Sequence, residues 1–415
     1  MQNDLHQHAM SAASLPIAPA RPVRLAVTKA PTVEHVAEIN RFGELDAYRG
    51  IAALLLVLFH TYTMTSASWG QPLYQPTVDN FLGSLRLTGW FFTLSGFLLF
   101  LPFARAAIEQ SGRRSVRGFL VRRALRIIPL YYLVLGVMWP LHASRSADPA
   151  QDLLHHLTFM HIFDDRYAMS IILPAWSLAV EVVFYGFLAA FGPLIYLLGG
   201  RCATRRGRIT LITTLLGLLG ILSVGYKCYA YFWLGVPSES LTVYSGPLAK
   251  ADTFALGMVL AVILVGSRVR LSGWWPLGLL LSGLGIMAAL IVLRESNDMI
   301  EIAFHELSSV AFVLILASTV LATCAPPWKR GLLCPTLQYL GRISYSIYLW
   351  HELVVIVLLT SLRAIGFRPI DFPLLALAVL LCAIGLATMS YRLVERPAVR
   401  LGQRFTRAGV SYTRE

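Results

Sequence analysis

The chain has 415 residues, 56% of them hydrophobic and 14% charged, with a mean hydropathy of +0.64. Soluble domains carry about a quarter charged residues, so water is not the main solvent of this protein. The formal net charge of +13 is not gathered into one basic face with interleaved aromatics, which argues against a nucleic-acid partner.

Residues 1–40 lack the apolar core of a secretory signal, and their Ala, Pro, Ser and Val mixture has no sustained period. They are expected to form a disordered cytoplasmic tail. A membrane domain is expected over 41–400, followed by a short cytoplasmic tail over 401–415. Ten apolar blocks fall within that domain, each near the ~20 residues a helix needs to cross a bilayer. They run Ala47–Ser66, Thr88–Phe103, Leu125–Leu141, Leu173–Leu198, Ile209–Cys228, Leu248–Val265, Gly273–Leu293, Ala303–Thr323, Leu340–Ser361 and Phe372–Tyr391. The short segments of alternating polarity that a β-barrel requires are absent. The expected fold class is therefore all-α, a polytopic membrane helical bundle.

Loop charge sets the orientation. Arg105 to Arg126 follow the second block, Arg201 to Arg208 the fourth, Arg268 and Arg270 the sixth, Lys329 and Arg330 the eighth, and Arg392 to Arg407 the tenth. Odd-numbered loops carry acidic or mixed charge, as at Asp79, Asp148, Asp152, Asp164, Asp165, Glu239, Glu295 and Asp298. The positive-inside bias then places both termini in the cytoplasm of a multi-pass protein of the cytoplasmic (inner) membrane. The scattered Cys202, Cys228, Cys324, Cys334 and Cys382 form no Cys-x-x-Cys pair, and neither a disulfide nor a metal site is expected.

Ionisable residues inside a spanning helix cost about 2.5–3.5 kcal/mol each on insertion scales, so each marks a candidate functional position. In the first block Arg49 and His60 lie three turns apart on one face. At 1.5 Å per residue, His60 sits about 20 Å above the cytoplasmic end. Ser95 in the second block, Glu181 in the fourth and His351 in the ninth lie about 10, 12 and 15 Å below the outer surface, which puts the four groups in one layer. Ser177, Glu181 and Tyr185 form one helical polar stripe, and Ser344, Tyr348 and His351 another. Such stripes face protein or water, and hydrogen bonding between helices is the simpler role for Ser95, Ser177 and Tyr348. At the inner mouth, Arg122, Arg123 and Arg126 suit a phosphate-bearing cosubstrate, because a guanidinium offers a fork of donors.

Six ordered segments resemble those of the acyltransferase-3 family of membrane acyltransferases, from Leu45 to Pro397. They are Leu45-Asp46-Ala47-Tyr48-Arg49-Gly50 leading to Phe59-His60, Phe91 to Leu98 around Ser95-Gly96, Arg123 to Tyr131, Trp176-Ser177 to Glu181 with Phe184-Tyr185, Ile343 to His351, and Glu395-Arg396-Pro397. Tyr48 departs from the aliphatic residue common before the Arg in that family. The resemblance implies acyl-CoA, with acetyl-CoA as the expected donor, bound from the cytoplasm, and a carbohydrate or other hydroxyl acceptor approached from outside. On this reading Arg49, Arg122, Arg123 and Arg126 hold the donor phosphates, with Tyr131 and Arg396 at the same site. His60 acts as general base oriented by Glu181, and Ser95 and His351 complete the catalytic set. Some relatives carry an added extracytoplasmic hydrolase-like domain; none is expected here, so acceptor choice is expected from the bundle and the segment His142 to Ile172.

A covalent acyl relay on His60 remains open beside direct transfer. The acceptor also remains open between a surface polysaccharide and a macrolide or other small molecule. A solute transporter is the competing class, although no matched pair of broken helices marks one.

Overall fold

The computed structural model describes residues 43–69, 81–83, 85–266, 269–293, 298–323, 326–366 and 372–408. The expected N-terminal tail, Asp79, Arg268, Glu295, Cys324 and residues 409–415 lie outside them. Each of the ten apolar blocks is a helix: α1 (Gly43–Trp69), α2 (Leu87–Glu109), α3 (Val116–His142), α4 (Ala175–Gly200), α5 (Arg205–Phe232), α6 (Ala251–Gly266), α7 (Trp275–Leu293), α8 (Asp298–Val320), α9 (Ser344–Ala364) and α10 (Phe372–Ser390). Eight helices are long and apolar enough to cross a membrane, while α6 and the apolar part of α8, Phe304–Val320, are shorter. Among the described residues the one β pairing is a bridge between Leu271 and Ala322.

Side chains that a soluble protein would bury are turned outward here. Ile221 on α5 is 70% exposed and Val292 on α7 is 78% exposed, which is the surface a helix presents to lipid rather than to water. Inside, helix contacts follow small residues. A Cβ on Gly96 of α2 would collide with the Phe254 carbonyl of α6, and one on Gly257 of α6 would collide with the Thr93 carbonyl of α2. The two glycines let these backbones touch, the close approach favoured where apolar burial cannot drive helix association.

Helix ends are fastened locally. Ser115 caps α3 by accepting from the Gly118 N–H at 3.1 Å, and Thr204 caps α5 by accepting from the Gly207 N–H at 3.0 Å. Helix α9 packs against α1 and α10, and α4 packs against α2 and α3. A π-helical turn, Tyr391–Glu395, carries α10 into the basic helix Arg396–Ala408, which lies along α3. At the end of this turn Glu395 is buried while Arg396 is exposed.

Candidate active site

The site lies on α1, α2, α4 and α9. His60 Nδ1 and His351 Nε2 are 2.7 Å apart, and the two rings are nearly coplanar, 17° apart with centroids separated by 5.0 Å. They therefore meet edge to edge rather than face to face. His351 Nδ1 lies 2.7 Å from the Tyr348 carbonyl. A carbonyl can only accept, so His351 Nδ1 carries the proton and Nε2 is left as an acceptor. His60 Nδ1 must then donate to it, and His60 Nε2 keeps its lone pair. His351 is fully buried, whereas His60 is only partly so. The pair thus presents one basic nitrogen from an otherwise closed chain of hydrogen bonds.

The hydrogen-bond partner of His60 Nδ1 is not the Glu181 carboxylate anticipated from sequence. Helix α9 packs on α1, while α4, which carries Glu181, packs on α2 and α3. Ser95 Oγ accordingly donates to Glu181 Oε1 at 2.8 Å. Between the two pairs stands Tyr348, whose hydroxyl is 2.6 Å from Ser177 and donates to the Pro174 carbonyl. Its ring centroid lies 6.0 Å from that of His351, and the Glu181 charge acts on its hydroxyl.

Towards the other end of α1, the field of Glu181 reaches Arg49, Arg123 and Arg126 together. Arg49 lies about 16 Å from His60 along the helix axis, at 1.5 Å per residue. Arg123 sits over the Tyr185 ring, 6.0 Å from its centroid, and its Nε is buried without a hydrogen-bond partner. An orphaned guanidinium donor is costly inside a protein and fits a site built for an anion. Arg126 reaches Glu395 at 3.9 Å, and Glu395 Oε2 also accepts from Ser346 at 2.8 Å.

Of the sequence-predicted set, the structure brings together His60 with His351, Ser95 with Glu181, and Arg49 with Arg123 and Arg126. It separates three others. Arg122 and Arg396 are exposed. The Tyr131 hydroxyl is occupied by the His156 carbonyl at 3.2 Å, and its ring stacks on Phe159 at 4.7 Å, so it braces the loop after α3. Glu395, the neighbour of Arg396 in the Glu-Arg-Pro segment, is the group that reaches the arginines. No local sequence signal announces its burial. Among the described residues no group of three or more His, Cys, Asp or Glu side chains is placed to hold a metal ion.

Residues 42–392 match the sequence profile of an acyltransferase domain, Acyl_transf_3. The chain belongs to the acyltransferase-3 family. Relatives of this acyltransferase include the "Exopolysaccharide production protein ExoZ" of Rhizobium meliloti (strain 1021), 28% identical over 75% of this chain and 89% of the relative. The "Putative peptidoglycan O-acetyltransferase YrhL" of Bacillus subtilis (strain 168) is 28% identical over 85% of this chain and 54% of the relative. The "Putative O-acetyltransferase SACOL0978" of Staphylococcus aureus (strain COL) is 23% identical over 85% of this chain and 56% of the relative. The acyltransferase thus spans about half the length of the last two. No solved structure matches it.

Proposed function

We propose that this membrane acyltransferase moves an acetyl group from acetyl-CoA to a hydroxyl of a carbohydrate acceptor such as a surface polysaccharide, in the cytoplasmic membrane. The observation that carries the chemistry is the fixed tautomer of His60, which leaves Nε2 as a base at the open end of the chain that runs through His351 to the Tyr348 carbonyl. His60 Nε2 takes the proton of the acceptor hydroxyl as its oxygen attacks the thioester carbonyl. The C–S bond breaks, and the imidazolium returns the proton to the departing thiolate, giving the ester and free CoA. His351 relays no proton outward, because its far nitrogen is committed to the Tyr348 carbonyl. It holds the ring and stabilises the charge that develops on it.

Arg49, Arg123 and Arg126 supply the donor-binding charge, with the orphaned Arg123 Nε as the group most in need of an anionic partner. The names of the relatives, which speak of exopolysaccharide production and O-acetyl transfer, support oxygen as the nucleophile and a glycan as the acceptor. General-base help gives about 10² to 10⁴ in rate. Proteoliposomes supplied with labelled acetyl-CoA and a polysaccharide extract should lose transfer by that factor in His60→Ala while the variant elutes as folded protein. Near-wild-type transfer by that variant removes His60 from the mechanism.

A further inference from the structure

Beyond the hydrogen-bonded pairs, one cavity of about 890 Å³ opens at the end of the bundle where α1 and α3 finish and α4 begins. Its size lies within the ~300–1,000 Å³ usual for small-molecule sites. The lining includes Met64, four residues and thus one helical turn beyond His60 on the same face of α1, and Glu352, next in sequence to His351. The cavity therefore ends about one turn, or roughly 5 Å, from the imidazole pair.

Glu352 is only 5% exposed. One of its oxygens accepts from the Leu173 N–H at 2.9 Å, and the other accepts from none of the described residues. That second oxygen is not sealed in the protein, and Glu352 lines the cavity, so it is free to accept from a hydroxyl that enters. The remaining wall sets polar groups beside apolar ones such as Ile356 and Leu359. Asp152, which already takes a 2.6 Å bond from Ser170, lies deep in it, while Asp148, Arg145 and Arg166 stand exposed at its mouth. Each sugar hydroxyl is both donor and acceptor, so a wall of interspersed carboxylates and guanidinium groups satisfies a saccharide on both counts. A wholly aliphatic ligand would leave the free Glu352 oxygen without a donor.

We infer that this cavity is the acceptor subsite and that Glu352 selects a saccharide by accepting hydrogen bonds from its hydroxyls close to His60. The inference rests on the acyl-transfer reading, and direct binding tests it separately from turnover. The full-length protein in nanodiscs is titrated with cellotetraose as a neutral probe and tetragalacturonate as an anionic one, without acyl donor, and binding is read by saturation-transfer NMR. The wild type binds at least one probe. Glu352→Gln, which keeps shape but replaces one acceptor oxygen by an NH₂ donor, weakens it at least tenfold. Ala147→Trp, which fills the exposed rim without touching the buried floor, does the same.

In turnover with labelled acetyl-CoA, both variants raise KM for the saccharide at least tenfold and leave KM for acetyl-CoA within twofold. Wild-type protein that binds neither probe overturns the inference, as does binding that both variants leave unchanged. Saccharide binding without any acetyl transfer to it supports the subsite and sinks the catalytic reading instead.

Discussion

His60 and His351, 291 residues apart in sequence, share a 2.7 Å hydrogen bond that runs from one imidazole into the next and ends on the Tyr348 carbonyl. Only one tautomer of each ring satisfies that chain. Replacing His351 by Ala frees the His60 ring to rotate and to protonate on either nitrogen. Transfer should fall about 10- to 100-fold, the usual cost of removing a partner that fixes a functional imidazole. His351→Gln, whose amide oxygen can accept from His60 Nδ1, should recover part of it. Equal activity in the two variants would show that tautomer control is not the role of His351.

Ser95 and Glu181 predict a split between kinetic constants. The Glu181 carboxylate partly offsets the three arginines, so Glu181→Gln leaves the donor site more positive. KM for acetyl-CoA should not rise, while kcat falls. Ser95→Ala removes only a donor to that carboxylate and should cost less than Glu181→Gln. A higher donor KM with unchanged kcat in Glu181→Gln contradicts this assignment.

The arginines should differ among themselves. A hydrogen bond to a charged group contributes about 1.5–3 kcal/mol, or roughly 10- to 150-fold in binding. Arg123→Ala should raise KM for acetyl-CoA by that amount, since its buried Nε awaits a partner. Arg122, which is exposed, should change it less than about threefold on replacement by Ala, in line with the small worth of exposed charge pairs. Titrating both variants with acetyl-CoA in one assay decides the matter.

Acid should loosen the loop between α3 and α4. His156 and His161 stack there with centroids 4.2 Å apart. Burial lowers the His156 imidazole from 6.5 to about 4, and burial with the facing His156 lowers His161 to about 4. In the unfolded chain each titrates near 6.5, so below that pH the unfolded state binds more protons. Stability is complete above about pH 6.5 and is lost as pH falls towards 4. Tm measured against pH should decline over that window, and His156→Gln with His161→Gln should flatten the decline.

The contact between α2 and α6 should tolerate no added methyl group. Gly96→Ala forces a Cβ into the Phe254 carbonyl, and overpacking of this kind costs about 1–3 kcal/mol. Tm should drop, and activity should drop with it, because Ser95 is the adjoining residue on α2. An unchanged Tm would mean that the two backbones can part without loss.

Much of this protein could be read from its residues in order. Hydropathy alone marked ten helices, because crossing a bilayer constrains each segment by itself. Helical spacing put Arg49 and His60 on one face, the rarity of charge at that depth singled out His60 and Glu181, and depth alone placed His351 in the same layer. Which of these groups would touch was a different matter. Ser95 was legible as a close-packing residue beside Gly96, but its bond to Glu181 was not, and neither was the entry of Glu395 in place of Arg396. Nothing in the sequence sets Glu352 apart from its neighbour His351, and its free oxygen is visible only when the Leu173 backbone and the cavity wall are in place. A period of 3.6 residues describes one helix at a time. The pairing of α1 with α9 and of α2 with α4 arises from glycines and side-chain surfaces far apart in sequence, and that packing alone decides which nitrogen faces which oxygen.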